Sequence, residues 1–188
     1  MAQAEKTGLR PRRLTTRRLT YSALCLALAQ VLPLLTGQIP QVGKMLCPMH
    51  LPVLLCGFLC GWPWGLAVGF IAPLLRSLLF GAPPIFPKAI GMAFELATYG
   101  AVSGLLYARL PRRLPWLYGE LLAAMVCGRL VWGTARYVMA GLSGDSFPMA
   151  AFLAGAVTEA LPGIVLQLVL LPGLVRVLTG AGLSANDP

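Results

Sequence analysis

Residues 17–36 read RRLTYSALCLALAQVLPLLT, two arginines followed by eighteen residues without a charge. A helix needs about 20 mostly apolar residues to cross the ~30 Å hydrocarbon core of a bilayer, so this stretch is long enough to span one. A basic run before an apolar stretch is also the shape of a secretory signal. This stretch, however, is long for a signal's apolar region, no A-x-A-like cleavage site follows it, and further apolar segments come after it. It reads as a retained first helix. The whole chain agrees: 57% of its 188 residues are hydrophobic and 11% are charged, a balance that would cover a soluble domain of this size in exposed apolar patches.

Five more apolar segments follow the first helix, at 49–61, 62–80, 88–107, 117–140 and 149–178, with a kink expected at Pro162-Gly163. They are separated by turn signals: Trp62-Pro63-Trp64, then Pro83-Pro84 with Pro87, then Pro111 and Pro115 among Arg109, Arg112 and Arg113. The second segment is short, reaching only about 20 Å at 1.5 Å per residue. The sequence thus predicts an all-α integral membrane protein of six transmembrane helices, helix two short. Residues 1–18 form a basic tail, 19–178 a single membrane domain, and 179–188 a C-terminal tail. With six crossings, the tail (Lys6, Arg10, Arg12, Arg13, Arg17, Arg18), the arginine loop and Arg176 fall on one side and hold ten of the fifteen basic residues. Loops rich in Lys and Arg stay in the cytoplasm, so both termini are expected there. A re-entrant second segment would break this parity.

Several chemistries find no support. The net charge of +9 gathers at helix ends rather than along a solvated face, so no nucleic-acid partner is predicted. The five cysteines are odd in number and four lie in apolar segments, which reads as packing rather than a disulfide framework. His50, close to Cys47, is the lone histidine, too small a set for a metal. No phosphate-cradling G-x-x-x-x-G-K-[ST] loop and no Ser/His/Asp set occur, and no cofactor is expected.

Charges inside a membrane are costly, and each one marks a possible site. Six spans place Arg76, Lys88, Glu95, Arg129, Arg136 and Glu159 in the outer half of the bundle. Lys88 and Glu95 are seven apart, as are Arg129 and Arg136 with Trp132 between them, so each set is expected to share a helix face. Gln30 and His50 can join the same cavity, Lys44 adds a cation in the loop above, and Tyr99, Trp132, Phe86 and Tyr137 can supply aromatic walls. The plain alternative is that Glu95 and Glu159 only pair with Arg76 and Arg129 to hold the helices together. Taken together, the outer cations outnumber the carboxylates, and a ligand bearing a carboxylate or phosphate would balance them.

Small residues recur four apart at Ala23/Ala27, Gly57/Gly61, Gly65/Gly69 and Gly100/Gly104, a spacing that lets helices approach closely. With the Ala23-Leu24-Cys25-Leu26-Ala27 element, the segment Pro48-Met49-His50-Leu51-Pro52-Val53-Leu54-Leu55-Cys56-Gly57, the run Gly69-Phe70-Ile71-Ala72-Pro73-Leu74-Leu75-Arg76-Ser77-Leu78 and Glu95-Leu96-Ala97-Thr98-Tyr99-Gly100, the chain resembles the substrate-binding S component of an energy-coupling factor (ECF) vitamin transporter. The resemblance covers about 19–178 and is closest to the pantothenate-like group, with folate, niacin and cobalamin open.

That resemblance implies a component of the bacterial cell membrane that captures a water-soluble vitamin from outside under a lid formed by residues 36–49. It implies docking of the Ala23 and Ala27 face on a transmembrane T component, and toppling to release the ligand inside. Two cytoplasmic ATPases would drive the cycle, consistent with the missing nucleotide loop. Glu95, Tyr99 and the outer cations would then contact the vitamin. Two other classes stay open from the sequence: a small membrane enzyme using Glu95 or Glu159 as a general base, and a structural subunit whose charges are internal pairs.

Overall fold

The computed structural model describes residues 10–36, 47–144 and 161–184. Among these, six α-helices follow one another: α1 (Arg10–Thr36), α2 (His50–Cys60), α3 (Trp62–Phe80), α4 (Ile90–Arg109), α5 (Leu114–Ser143) and α6 (Leu161–Gly180), with a π-turn at Ile85–Ala89 before α4. All but α2 are long and apolar enough to cross a membrane. The protein is an all-α, multi-pass membrane protein, as its sequence predicts.

Helix α1 starts at Arg10, well before the apolar boundary at 19. Pro11 falls in its first turn, where a missing N–H is tolerated. The basic residues from Arg10 onward are therefore helical, and the apolar span proper runs over Thr16–Leu35.

The short α2, about 16 Å long, is buried along ten of its eleven residues. It lies inside the bundle, packed on α1, α3, α4 and α6, so protein rather than lipid surrounds it and it need not match the hydrocarbon thickness. Glycines bring its neighbours together. A Cβ on Gly65 of α3 would stand 2.5 Å from the Gly100 carbonyl of α4, and one on Gly57 of α2 would stand 2.6 Å from that same oxygen. Larger side chains at these positions would force the three helices apart. Gly61 joins α2 to α3 at φ 93°, a left-handed conformation that strains any residue with a Cβ.

Contacts at the helix ends fix the orientation. Arg17 Nη2 donates to the Gly182 carbonyl, tying the start of α1 to the end of α6. The α4–α5 turn, with Arg112 and Arg113, borders a cavity shared with Arg176 and Thr179 of α6. The basic regions thus gather at one end, which the positive-inside rule makes cytoplasmic. Gly57, late in α2, meets Ser103 and Gly104, late in α4, while His50 at the start of α2 meets Glu95, early in α4. Helix α2 therefore runs from the outer end to the inner one like a full crossing, and the up-and-down order of six elements holds.

Candidate functional site

His50 opens α2 directly after a tight turn in which its N–H donates to the Cys47 carbonyl at 3.0 Å. Cys47 holds φ 45°, a left-handed conformation costing a residue with a Cβ about 1–2 kcal/mol. This turn leaves His50 inside the bundle, 4% exposed. Glu95 reaches the same place from α4 and is 2% exposed, with Tyr99 one turn further along. Arg129 arrives from α5, its neighbour Gly128 leaving the space that the Tyr99 ring fills.

The geometry is close. Arg129 Nη1 lies 3.0 Å and His50 Nε2 lies 3.5 Å from Glu95 Oε1. The His50 and Tyr99 rings meet edge to face with centroids 5.3 Å apart, and the Arg129 guanidinium sits 6.0 Å from the centre of the Trp132 ring. The Tyr99 hydroxyl faces the Glu95 carboxylate, and the Cys47 thiol faces Arg129. Burial pushes the Cys47 thiol up, so a neutral thiol rather than a thiolate stands beside the arginine.

Charge is paired here while hydrogen bonding is not. A buried carboxylate must have a countercharge, and Arg129 supplies one. Among the described residues Glu95 Oε1, both His50 nitrogens and Arg129 Nε have no well-aligned hydrogen-bond partner, although Arg129 and His50 both stand within ion-pair reach of that oxygen. A finished structural pair would satisfy these atoms. Among the described residues no three His, Cys, Asp or Glu side chains come together as a metal ligand set.

The remaining sequence candidates divide. Gln30 and Arg76 form a second polar group between α1 and α3: Gln30 Nε2 donates to the Ala72 carbonyl at 3.0 Å, and Arg76 Nη1 donates to the Gln30 carbonyl at 3.1 Å while lying over the Phe80 ring. Glu95 pairs with Arg129 and His50, and Arg76 is held by a backbone carbonyl instead. Arg136 packs its methylenes against Gly91, one turn before Glu95. Lys88 is exposed in the π-turn ahead of α4, while Glu95 further along is buried. Phe86 and Tyr137 are exposed as well. Ala23 and Ala27 lie on the exposed face of α1. Lys44, Glu159 and most of the expected lid fall outside the described residues.

Two positions escape a sequence reading. Gly128 is one glycine among 21, with no spacing partner to mark it. Glu120, 1% exposed near the inner end of α5, is not among the sequence candidates, although the rule that marks Glu95 applies to it equally.

A family model described as the ECF transporter, substrate-specific component, matches residues 17–175. The chain belongs to that family. No curated protein and no solved structure matches it. As the substrate-specific component of an ECF transporter, the chain serves transport, and selection among substrates falls to its own side chains.

Proposed function

We propose that this ECF component captures a water-soluble, anionic vitamin of the pantothenate-like class from outside a bacterial cell membrane. It then delivers the ligand through a transmembrane T component driven by two cytoplasmic ATPases. The observation that carries this reading is the half-satisfied constellation of His50, Glu95, Tyr99 and Arg129. Arg129 Nε and one His50 nitrogen offer donors, and Glu95 Oε1 offers an acceptor. A ligand with both a carboxylate and a hydroxyl meets these needs: the carboxylate takes the Arg129 donor, and the hydroxyl donates to Glu95 while accepting from His50. Among the described residues of the outer half, Arg76 and Arg129 outnumber Glu95, which favours an anion. A ligand would supply the aligned partners these atoms lack. The exposed Ala23 and Ala27 are assigned to the T component, and residues 36–49 to a lid.

Thermal unfolding of the detergent-purified protein against a panel of vitamins tests the reading. A bound vitamin at ~100 times its dissociation constant adds about 2.7 kcal/mol of stability. The expected result is a rise in Tm with one carboxylate-bearing vitamin. Silence across the panel, from a protein that unfolds cooperatively, would overturn the proposal.

A further inference from the structure

At the cytoplasmic end, opposite the vitamin site, α4, α5 and α6 enclose a cavity of about 320 Å³. Its rim carries Arg112 and Arg113 from the α4–α5 turn and Arg176 from α6, and Leu114, Leu117 and Val175 form its apolar wall. Glu120 also lines it, buried, with Oε2 accepting no hydrogen bond among the described residues. Such a carboxyl group is among the costliest things to leave unanswered at membrane depth. Nothing in the transport reading uses it.

The ligand is constrained from both sides. The Arg112 guanidinium lies over the Tyr107 ring, while those of Arg113 and Arg176 call for a phosphate. The inward carboxylate calls for a hydrogen-bonding cation and would repel a second anionic group. The apolar wall calls for hydrocarbon. Trp116 and Tyr118, both exposed on the first turns of α5, set the level of this end at the headgroup layer, where amphipathic rings collect. We propose that the cavity binds the headgroup of an aminophospholipid. Its phosphate sits between Arg113 and Arg176, its primary ammonium on Glu120, and its acyl chains run along the exposed face of Leu114 and Leu174. Basic pockets between helices on the cytoplasmic side are natural headgroup sites. The buried carboxylate selects an amine among them.

The full chain, purified and mixed with defined lipids, is read by native mass spectrometry. Phosphatidylethanolamine is expected to bind about tenfold better than phosphatidylglycerol, which has the phosphate and lacks the ammonium. Glu120→Gln, which keeps the shape and removes the charge, is expected to abolish that preference. Arg113→Gln with Arg176→Gln should weaken both lipids together. Equal binding of the two lipids by the unaltered protein overturns the proposal whatever the variants do. A preference that survives Glu120→Gln in a monodisperse, helical variant removes the ammonium site. Displacement of the lipid by millimolar soluble phosphoethanolamine would overturn the lipid as the source of the headgroup.

Discussion

Gly128 of α5 faces Tyr99 of α4 so closely that a Cβ at position 128 would overlap the edge of the aromatic ring. Tyr99 is 1% exposed and its ring is wedged against His50, so it cannot swing aside cheaply. The seat of the ring, and with it the placement of its hydroxyl beside Glu95, depends on the absence of a side chain one residue before Arg129. Gly128→Ala is therefore expected to destabilise the protein by about 1–3 kcal/mol, the usual cost of overpacking, and to weaken vitamin binding. Tm and ligand titration check this together. Tyr99→Leu should recover part of the stability and none of the affinity. Unchanged affinity in Gly128→Ala would place Tyr99 outside the site.

Arg129 is expected to carry both charge balance and recognition. Arg129→Gln removes the countercharge from Glu95, and breaking a buried pair from one side costs about 3–5 kcal/mol. Glu95→Gln in the same chain removes the stranded charge, so the double variant should regain stability. It should still bind the vitamin at least tenfold more weakly than the native protein, having lost a charge-assisted contact. A double variant with native affinity would assign the pair to structure alone.

Much of this architecture is written in the order of residues, and the reasons for the exceptions are physical. Hydropathy and the grouping of arginines are read by the bilayer one helix at a time, so crossings and orientation follow from local composition. The small-residue pairs at 57, 65, 69, 100 and 104 likewise mark the α2–α3–α4 contact, because only close approach requires them. Which charges meet is another matter. A seven-residue spacing marks one helix face but not whether neighbours cover both ends of it: Glu95 is buried, and Lys88, near the start of the helix, is exposed. Arg76 finds a carbonyl rather than a carboxylate because α1 packs against α3, a choice of neighbour that no single helix records. Gly128 acts through a ring on another helix and leaves no periodic trace.

The orientation of the bundle is open to direct labelling. Pro84 and Arg113 are both exposed, one on the segment preceding the π-turn and the other on the α4–α5 turn. In a chain whose exposed Cys127 is replaced by Ser, a membrane-impermeant maleimide should label Pro84→Cys in intact cells. Arg113→Cys should be labelled only after lysis. The reverse pattern would invert the topology and turn the His50–Glu95–Arg129 end toward the cytoplasm.

The exposed face of α1 is the surface expected to meet the T component. Ala23 and Ala27 are flanked there by Leu24, Leu28 and Val31, all exposed and apolar, so the face is smooth at its centre and greasy at its edges. Lipid does not need that shape, whereas a second helix does, since small residues let two backbones come close enough for packing to hold them. Ala23→Leu with Ala27→Leu fills the flat strip without touching the buried side of α1, where Cys25, Ala29 and Gln30 lie. Vitamin affinity is expected to stay within about twofold, because no atom of the polar site moves. Uptake in cells that also express the T component and ATPases should fall to background, and co-purification of the T component should be lost. Cys127→Leu with Thr134→Leu, on the exposed face of α5, serves as the matched control and should leave uptake intact. Normal uptake by the α1 double variant would show that its small residues face only lipid, and would move the docking surface to another helix.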